Sequence, residues 1–193
     1  MVAIVLYLVF GRTGPAPTAA ATRSSFVSAM RKAGVKAAVP AAPTPLTTVR
    51  STGSHPFSAT FTADEVAALL NTFPCTASVA GVQIAMQGAS ISISAPGSVK
   101  FSAKVAVNGG TYIGAATLPV SFSGGQIAST GATALSVEGL PGSDAQRTQV
   151  TDALTTYFNA YLSAAPGLHI DSARVLADGV SVKGTAPDSL SYP

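Results

Sequence analysis

Tryptophan is absent, cysteine occurs once, and charged residues make up only 10% of the 193 positions. A single cysteine excludes an intrachain disulfide and any cysteine-based metal cluster. Cys75 follows Phe-Pro rather than the small residues that precede a lipidated cysteine, and reads as a small buried side chain. Histidines number two, His55 beside Pro56 and His169 near Asp171. A metal or catalytic centre needs further ligands at defined positions, and neither histidine has a third partner in view. The chain lacks a Gly-x-Ser-x-Gly elbow, a phosphate-cradling Gly loop and the dinucleotide fingerprint. Its only adjacent acids, Asp64 and Glu65, stand at a helix start, where anions complement the macrodipole. The expectation is a protein that is not an enzyme and has no cofactor and no metal.

Acids are missing altogether from residues 1–56, which carry Arg12, Arg23, Arg31, Lys32, Lys36 and Arg50. Residues 57–193 set five bases against all eight acids, which leaves them at −3. The computed pI of 9.2 therefore belongs to the N-terminal arm. Without a basic stripe or interleaved aromatics on the body, nucleic acid is not an expected partner.

The chain opens MVAIVLYLVFGRTG. A run of ten apolar residues is half of the roughly 20 needed to cross a bilayer. It suits the hydrophobic part of a signal peptide, or the last half of a membrane anchor whose start is missing. Residues 1–10 are thus read as a truncated anchor or signal segment, contacting the membrane. Residues 11–56, rich in Pro, Ala and Thr, read as a basic tether. Within them Phe26, Met30 and Ala33 fall at helical spacing, either as a short basic helix on anionic lipid or as a solvated linker piece.

From Phe57 the pattern changes. Thr62 and Glu65 form a capping box, and Val66, Leu69, Leu70 and Phe73 repeat at helical intervals until Pro74. Strand alternation follows, through Ile84, Ile91, Phe101, Val105, Val120 and Phe122, with turns at Asn108-Gly109-Gly110 and Gly124-Gly125. Ser143 and Gln146 open a second helix of about 22 residues, its stripe carrying Leu154, Phe158 and Leu162. Asp178-Gly179 then marks a closing hairpin with a type I′ turn. The shift of apolar parity between Ile170 and Ala173 predicts a bulge near Asp171. A sheet with one apolar face must bury it, and two amphipathic helices are at hand. The fold class is α+β: a curved antiparallel sheet, meander plus C-terminal hairpin, packed on one long and one short helix over residues 57–193.

Three stretches carry a resemblance: the FTADEVAALLN helix start, EGLPG before the long helix, and ADGVSVKGTAP at the closing hairpin. They resemble bacterial extracytoplasmic proteins of the LmeA-like and YpmS-like type, relatives of tubular lipid-binding (TULIP) domains, over roughly residues 57–187. The resemblance implies a curved sheet wrapped about a long helix, with an apolar groove for acyl chains between them. It also implies an extracytoplasmic protein, membrane-anchored or secreted. Burying hydrocarbon yields about 0.8 kcal/mol per CH₂, so such a groove needs only apolar walls. The expected lipid-binding wall is Ile84, Ile91, Phe101, Val105, Val120, Phe122, Leu154, Phe158 and Leu162. The alternative is a non-catalytic structural or protein-interaction module of the cell envelope, in which the same rows close into a solid core.

Overall fold

A hydroxyl opens the first helix and a left-handed glycine closes it. Thr18 accepts a hydrogen bond from the Ala21 amide at the start of α1 (Ala19–Ala33), and Gly34 ends it at φ 74°. The computed structural model describes residues 18–193 apart from 80–81, 108–109, 138–139 and 142. It excludes the side chains of 79, 82–84, 105–107, 110–113, 137, 140 and 141. The anchor-like residues 1–10 and the Asn108-Gly109 turn lie outside the described residues.

The tether expected over residues 11–56 is corrected for residues 18–56. In α1 the side chains of Phe26, Ala29 and Ala33 are buried, and the Pro-rich stretch that follows carries Leu46 and Val49 into the interior. Helical spacing gave α1 an apolar stripe, and two of its three residues are small enough to let it lie close against its neighbours. It packs on α2 (Ala63–Thr72) and on strand β2 (His55–Phe61). The folded body therefore begins well before Phe57.

Both capping boxes form. Thr62 and Glu65 start α2, and Ser143 and Gln146 start α3 (Asp144–Ala164), which has 21 residues. Between these helices the chain runs as a meander. A six-stranded antiparallel sheet contains β3 (Thr76–Val79), β4 (Val82–Ala95), β5 (Ser98–Val107), β6 (Gly110–Pro119), β9 (Ala134–Val137) and β10 (Leu140–Pro141), in the order β10-β9-β6-β5-β4-β3. Register shifts on β4, between Gln87 and Ser90 and between Ile93 and Ala95, add local twist to the longest strand. β7 (Ser121–Ser123) and β8 (Gln126–Ala128) form a separate small hairpin through Gly124-Gly125. The fold is α+β, with open antiparallel sheets against amphipathic helices.

The C-terminal hairpin, β11 (His169–Val175) and β12 (Val180–Ala186), does not extend the meander. It pairs with β2 in its own sheet, ordered β11-β12-β2. Phe57, Ala59 and Phe61 alternate along β2, which opens two residues before the expected boundary. The bulge at Asp171 is present, as a register shift between Ile170 and Ser172. The turn differs from expectation. Four residues, 176–179, join the strands, with the Leu176 amide donating to the Gly179 carbonyl at 2.8 Å. Gly179 is not among the positive-φ glycines, so this is no type I′ turn. Crowding explains the glycine instead: a Cβ there would lie 2.5 Å from the Phe61 carbonyl oxygen. A last pair, β1 (Arg50–Thr52) with β13 (Ser189–Ser191), ties the C-terminus to the region before β2.

Candidate functional site

The helices approach the sheets through specific polar anchors. On α3, the Asn159 side chain accepts from the Ile127 amide at 2.7 Å and donates to the Ile127 carbonyl at 2.9 Å. On α2, Asn71 treats Ala89 the same way, at 2.7 and 2.8 Å, beside the β4 bulge. The Tyr157 hydroxyl donates to the Cys75 carbonyl at 3.1 Å, and that of Tyr161 to the Leu69 carbonyl at 3.2 Å. Burial pushes the Tyr157 phenol up to about 12 and raises that of Tyr161 as well, so both stay protonated as donors. Cys75 is buried as expected, and burial raises its thiol pKa.

α1 is held by charge. The Lys32 ammonium lies 2.7 Å from Glu65, a carboxylate only 5% exposed, which also accepts from Ser28 at 2.6 Å and from the Thr62 amide at 2.7 Å. Burial alone would raise the Glu65 pKa, but the bonds from Lys32, Ser28 and Thr62 together hold it below the usual carboxylate value. Glu65 thus caps α2 and anchors α1 at once. One residue further on, at the C-terminus of α1, His55 reaches the Ala33 carbonyl at 2.9 Å through Nε2 and Asp188 at 2.8 Å through Nδ1. The bond to Ala33 is the main cause of its raised pKa, followed by Asp188. His169 is exposed, 3.4 Å from Asp171. Among the described residues no three His, Cys, Asp or Glu side chains gather into a metal-binding group.

Between these anchored layers the core does not close. A cavity of about 330 Å³ runs between α3, the six-stranded sheet, the β7–β8 hairpin, the three-stranded sheet and helices α1 and α2. Ile91, Phe101, Val120, Phe122, Leu154, Phe158 and Leu162 all line it. The remaining two expected wall residues, Ile84 and Val105, have side chains outside the described residues. Phe158 stands edge-on to Phe101 at 5.2 Å, so helix and sheet meet through an aromatic contact along one side of the space.

Most of the lining residues lie outside the nine named from the sequence. Met30 and Ala33 of α1, Phe57 and Phe61 of β2, and Leu69 and Phe73 of α2 all contribute. So do Val175, Val180 and Val182, the apolar row of the closing hairpin. The helical spacing of Met30 with Ala33 and the alternation of Phe57 with Phe61 were the available signals. Apart from Tyr161, whose hydroxyl is engaged, the polar lining residues are Ser121, Ser129, Thr155 and Arg174.

Apolar walls of this kind can shield hydrocarbon from water. Among the described residues no helix is long and apolar enough to cross a membrane. Models of known protein families, curated proteins and solved structures contain no match to this chain.

Proposed function

We propose that this protein binds a lipid or other amphiphile in the cavity between α3 and the two larger sheets. The carrying observation is the apolar space itself. At about 330 Å³ it falls at the lower end of the size range of small-molecule sites, suited to one slender chain rather than a bulky ligand. Seven wall residues named from the sequence meet around it, contributed by α3, the meander and the β7–β8 hairpin. Among the described residues the wall gathers no catalytic constellation, which suits a carrier or sensor better than an enzyme. A structural or interaction module with a solid core has this cavity against it.

The same reading makes the protein extracytoplasmic, either secreted or attached to the membrane through residues 1–10. Support for that comes from the apolar opening run and from the sequence resemblance to the LmeA-like, YpmS-like and TULIP group. The experiment is uptake of a fluorescent fatty acid or phospholipid by delipidated protein at micromolar concentration. Saturable binding, lost in Ile91→Trp and Val120→Trp variants that retain the native circular dichroism, is the expected result. No uptake by the native protein would overturn the proposal.

A further inference from the structure

Helix α1 meets the body along two of its sides and shows solvent a third. Phe26, Ala29 and Ala33 are buried in the core, while Ser28 and Lys32 face Glu65 on one flank. Arg23, Val27 and Arg31, spaced four residues apart, fall on the opposite flank and are all exposed. At 47% exposed, Val27 is the most open large hydrophobic side chain among the described residues. The flank continues past the helix to Lys36, which the C-terminal ladder holds in place. Its amide donates to the Asp188 carbonyl at 2.9 Å, and its carbonyl accepts from the Leu190 amide at 2.9 Å. Val27, Arg31, Lys36 and Ala38 border one open hollow together with Leu190.

Among the described residues no salt bridge engages Arg23, Arg31 or Lys36, and the Asp188 carboxylate beside that ladder is taken by His55. A face of one sign with an aliphatic side chain at its middle is complementary to anionic lipid head groups. Chain length points the same way. Only seven residues, 11–17, separate the α1 cap from the apolar run 1–10, a reach of at most about 30 Å. From this placement we infer that Arg23, Val27, Arg31 and Lys36 dock α1 on an anionic membrane surface, as a second contact beside residues 1–10. The apolar stripe that a surface helix ordinarily buries in lipid is here turned into the core, so the docking is mainly electrostatic, with Val27 alone reaching below the head groups. This face is independent of what the chamber holds and shares with the proposed function only the attachment through residues 1–10. It sets one wall of the chamber, Ala29, Met30 and Ala33, within a helix width of the lipid, about 10 Å.

The test is co-sedimentation of the full chain with vesicles of phosphatidylcholine alone and of phosphatidylcholine mixed with phosphatidylglycerol. The native protein should prefer the mixed vesicles, and the preference should fade in high salt. Each base near an anionic surface adds about fivefold to binding, so Arg23→Gln, Arg31→Gln and Lys36→Gln together should weaken it about a hundredfold. Lys100→Gln, Lys104→Gln and Lys183→Gln remove the same charge from exposed positions on the sheets and should leave most of the binding in place. The chain has no tryptophan, so Val27→Trp adds a single reporter, whose emission should shift to the blue on mixed vesicles. Equal losses in the two triple variants, or a bound Val27→Trp variant with unshifted emission, overturn the docking face. So does equal binding to both kinds of vesicle, or binding to neither. If vesicles are ignored and poly-glutamate binds instead, the face belongs to an acidic protein segment and the proposal falls. Fatty-acid uptake by the chamber is read separately, so either conclusion can fail alone.

Discussion

The side-chain amide of Asn159 makes with Ile127 both of the bonds that a neighbouring strand would make. A helix side chain thereby stands in for a strand at the edge of β8, and holds the small β7–β8 hairpin over one side of the cavity. Asn71 does the same for Ala89 at the bulge of β4. Asn159→Ala should release the hairpin while leaving the meander intact. The expected result is faster hydrogen exchange at the Ile127 amide, by about tenfold or more, with slower-exchanging sites on β5 unchanged. Asn159→Asp should fall between the two, because a carboxylate still accepts from the Ile127 amide but cannot donate to its carbonyl.

Removing Lys32 would leave the Glu65 carboxylate buried without its cation. Breaking a fully buried pair costs about 3–5 kcal/mol, and the partial exposure of Lys32 reduces that to about 2 kcal/mol for Lys32→Ala. A lower urea midpoint at unchanged slope is the measurement. Because the Glu65 pKa is lowered in the folded state, the stabilisation is present above its ordinary value of 4.5 and is lost as pH falls through the lowered one. Acid should therefore narrow the gap between native protein and variant.

His55 behaves in the opposite sense. Its folded pKa is raised above 6.5, so its charged form stabilises fully below that value, and the contribution fades as pH rises through the folded pKa. A cation at this place also complements the C-terminal end of α1. The difference in melting temperature between native protein and His55→Gln should be larger at about pH 5.5 than at about pH 9. A difference that stays constant, or grows with pH, would contradict this account. Asp188→Asn should weaken the same dependence.

Gly179 separates two explanations for a glycine in a hairpin loop. Were positive φ the reason, Asn would be a tolerable replacement. Since the constraint is the Phe61 carbonyl 2.5 Å from where a Cβ would stand, Ala and Asn should both destabilise, by about 1–3 kcal/mol. Urea unfolding of the two variants decides between them.

Much of this architecture was legible because it is local. The capping residues Thr62, Glu65, Ser143 and Gln146 announce their helices by spacing alone, and the parity change around Asp171 marks the bulge. Periodicity likewise found the inward faces of α3 and the meander, which is why Ile91, Phe101, Leu154 and Phe158 meet around one space. What stayed hidden depends on distant partners. Composition made the segment around Phe26 look like linker, because Ala, Thr and Pro dominate it and nothing local reports that Glu65 waits for Lys32. The strand character of His55–Phe61 was obscured in the same way, since its pairing partner lies more than a hundred residues away in β12. Nor can alternation reveal whether two apolar faces touch or stand apart.

The two larger sheets share no ladder, yet the turn between β4 and β5 stitches them together through one residue. Gly97, at φ 76°, donates to Val175 on the hairpin side and accepts from Val120 on the meander side. Nothing lies within 4 Å of where a Cβ would sit, so a larger residue would meet no clash, only the strain of a left-handed backbone, about 1–2 kcal/mol. The bore of the chamber thus depends on a glycine that contributes none of its lining. Variation at this one position could widen or narrow what the protein admits while every wall residue kept its identity.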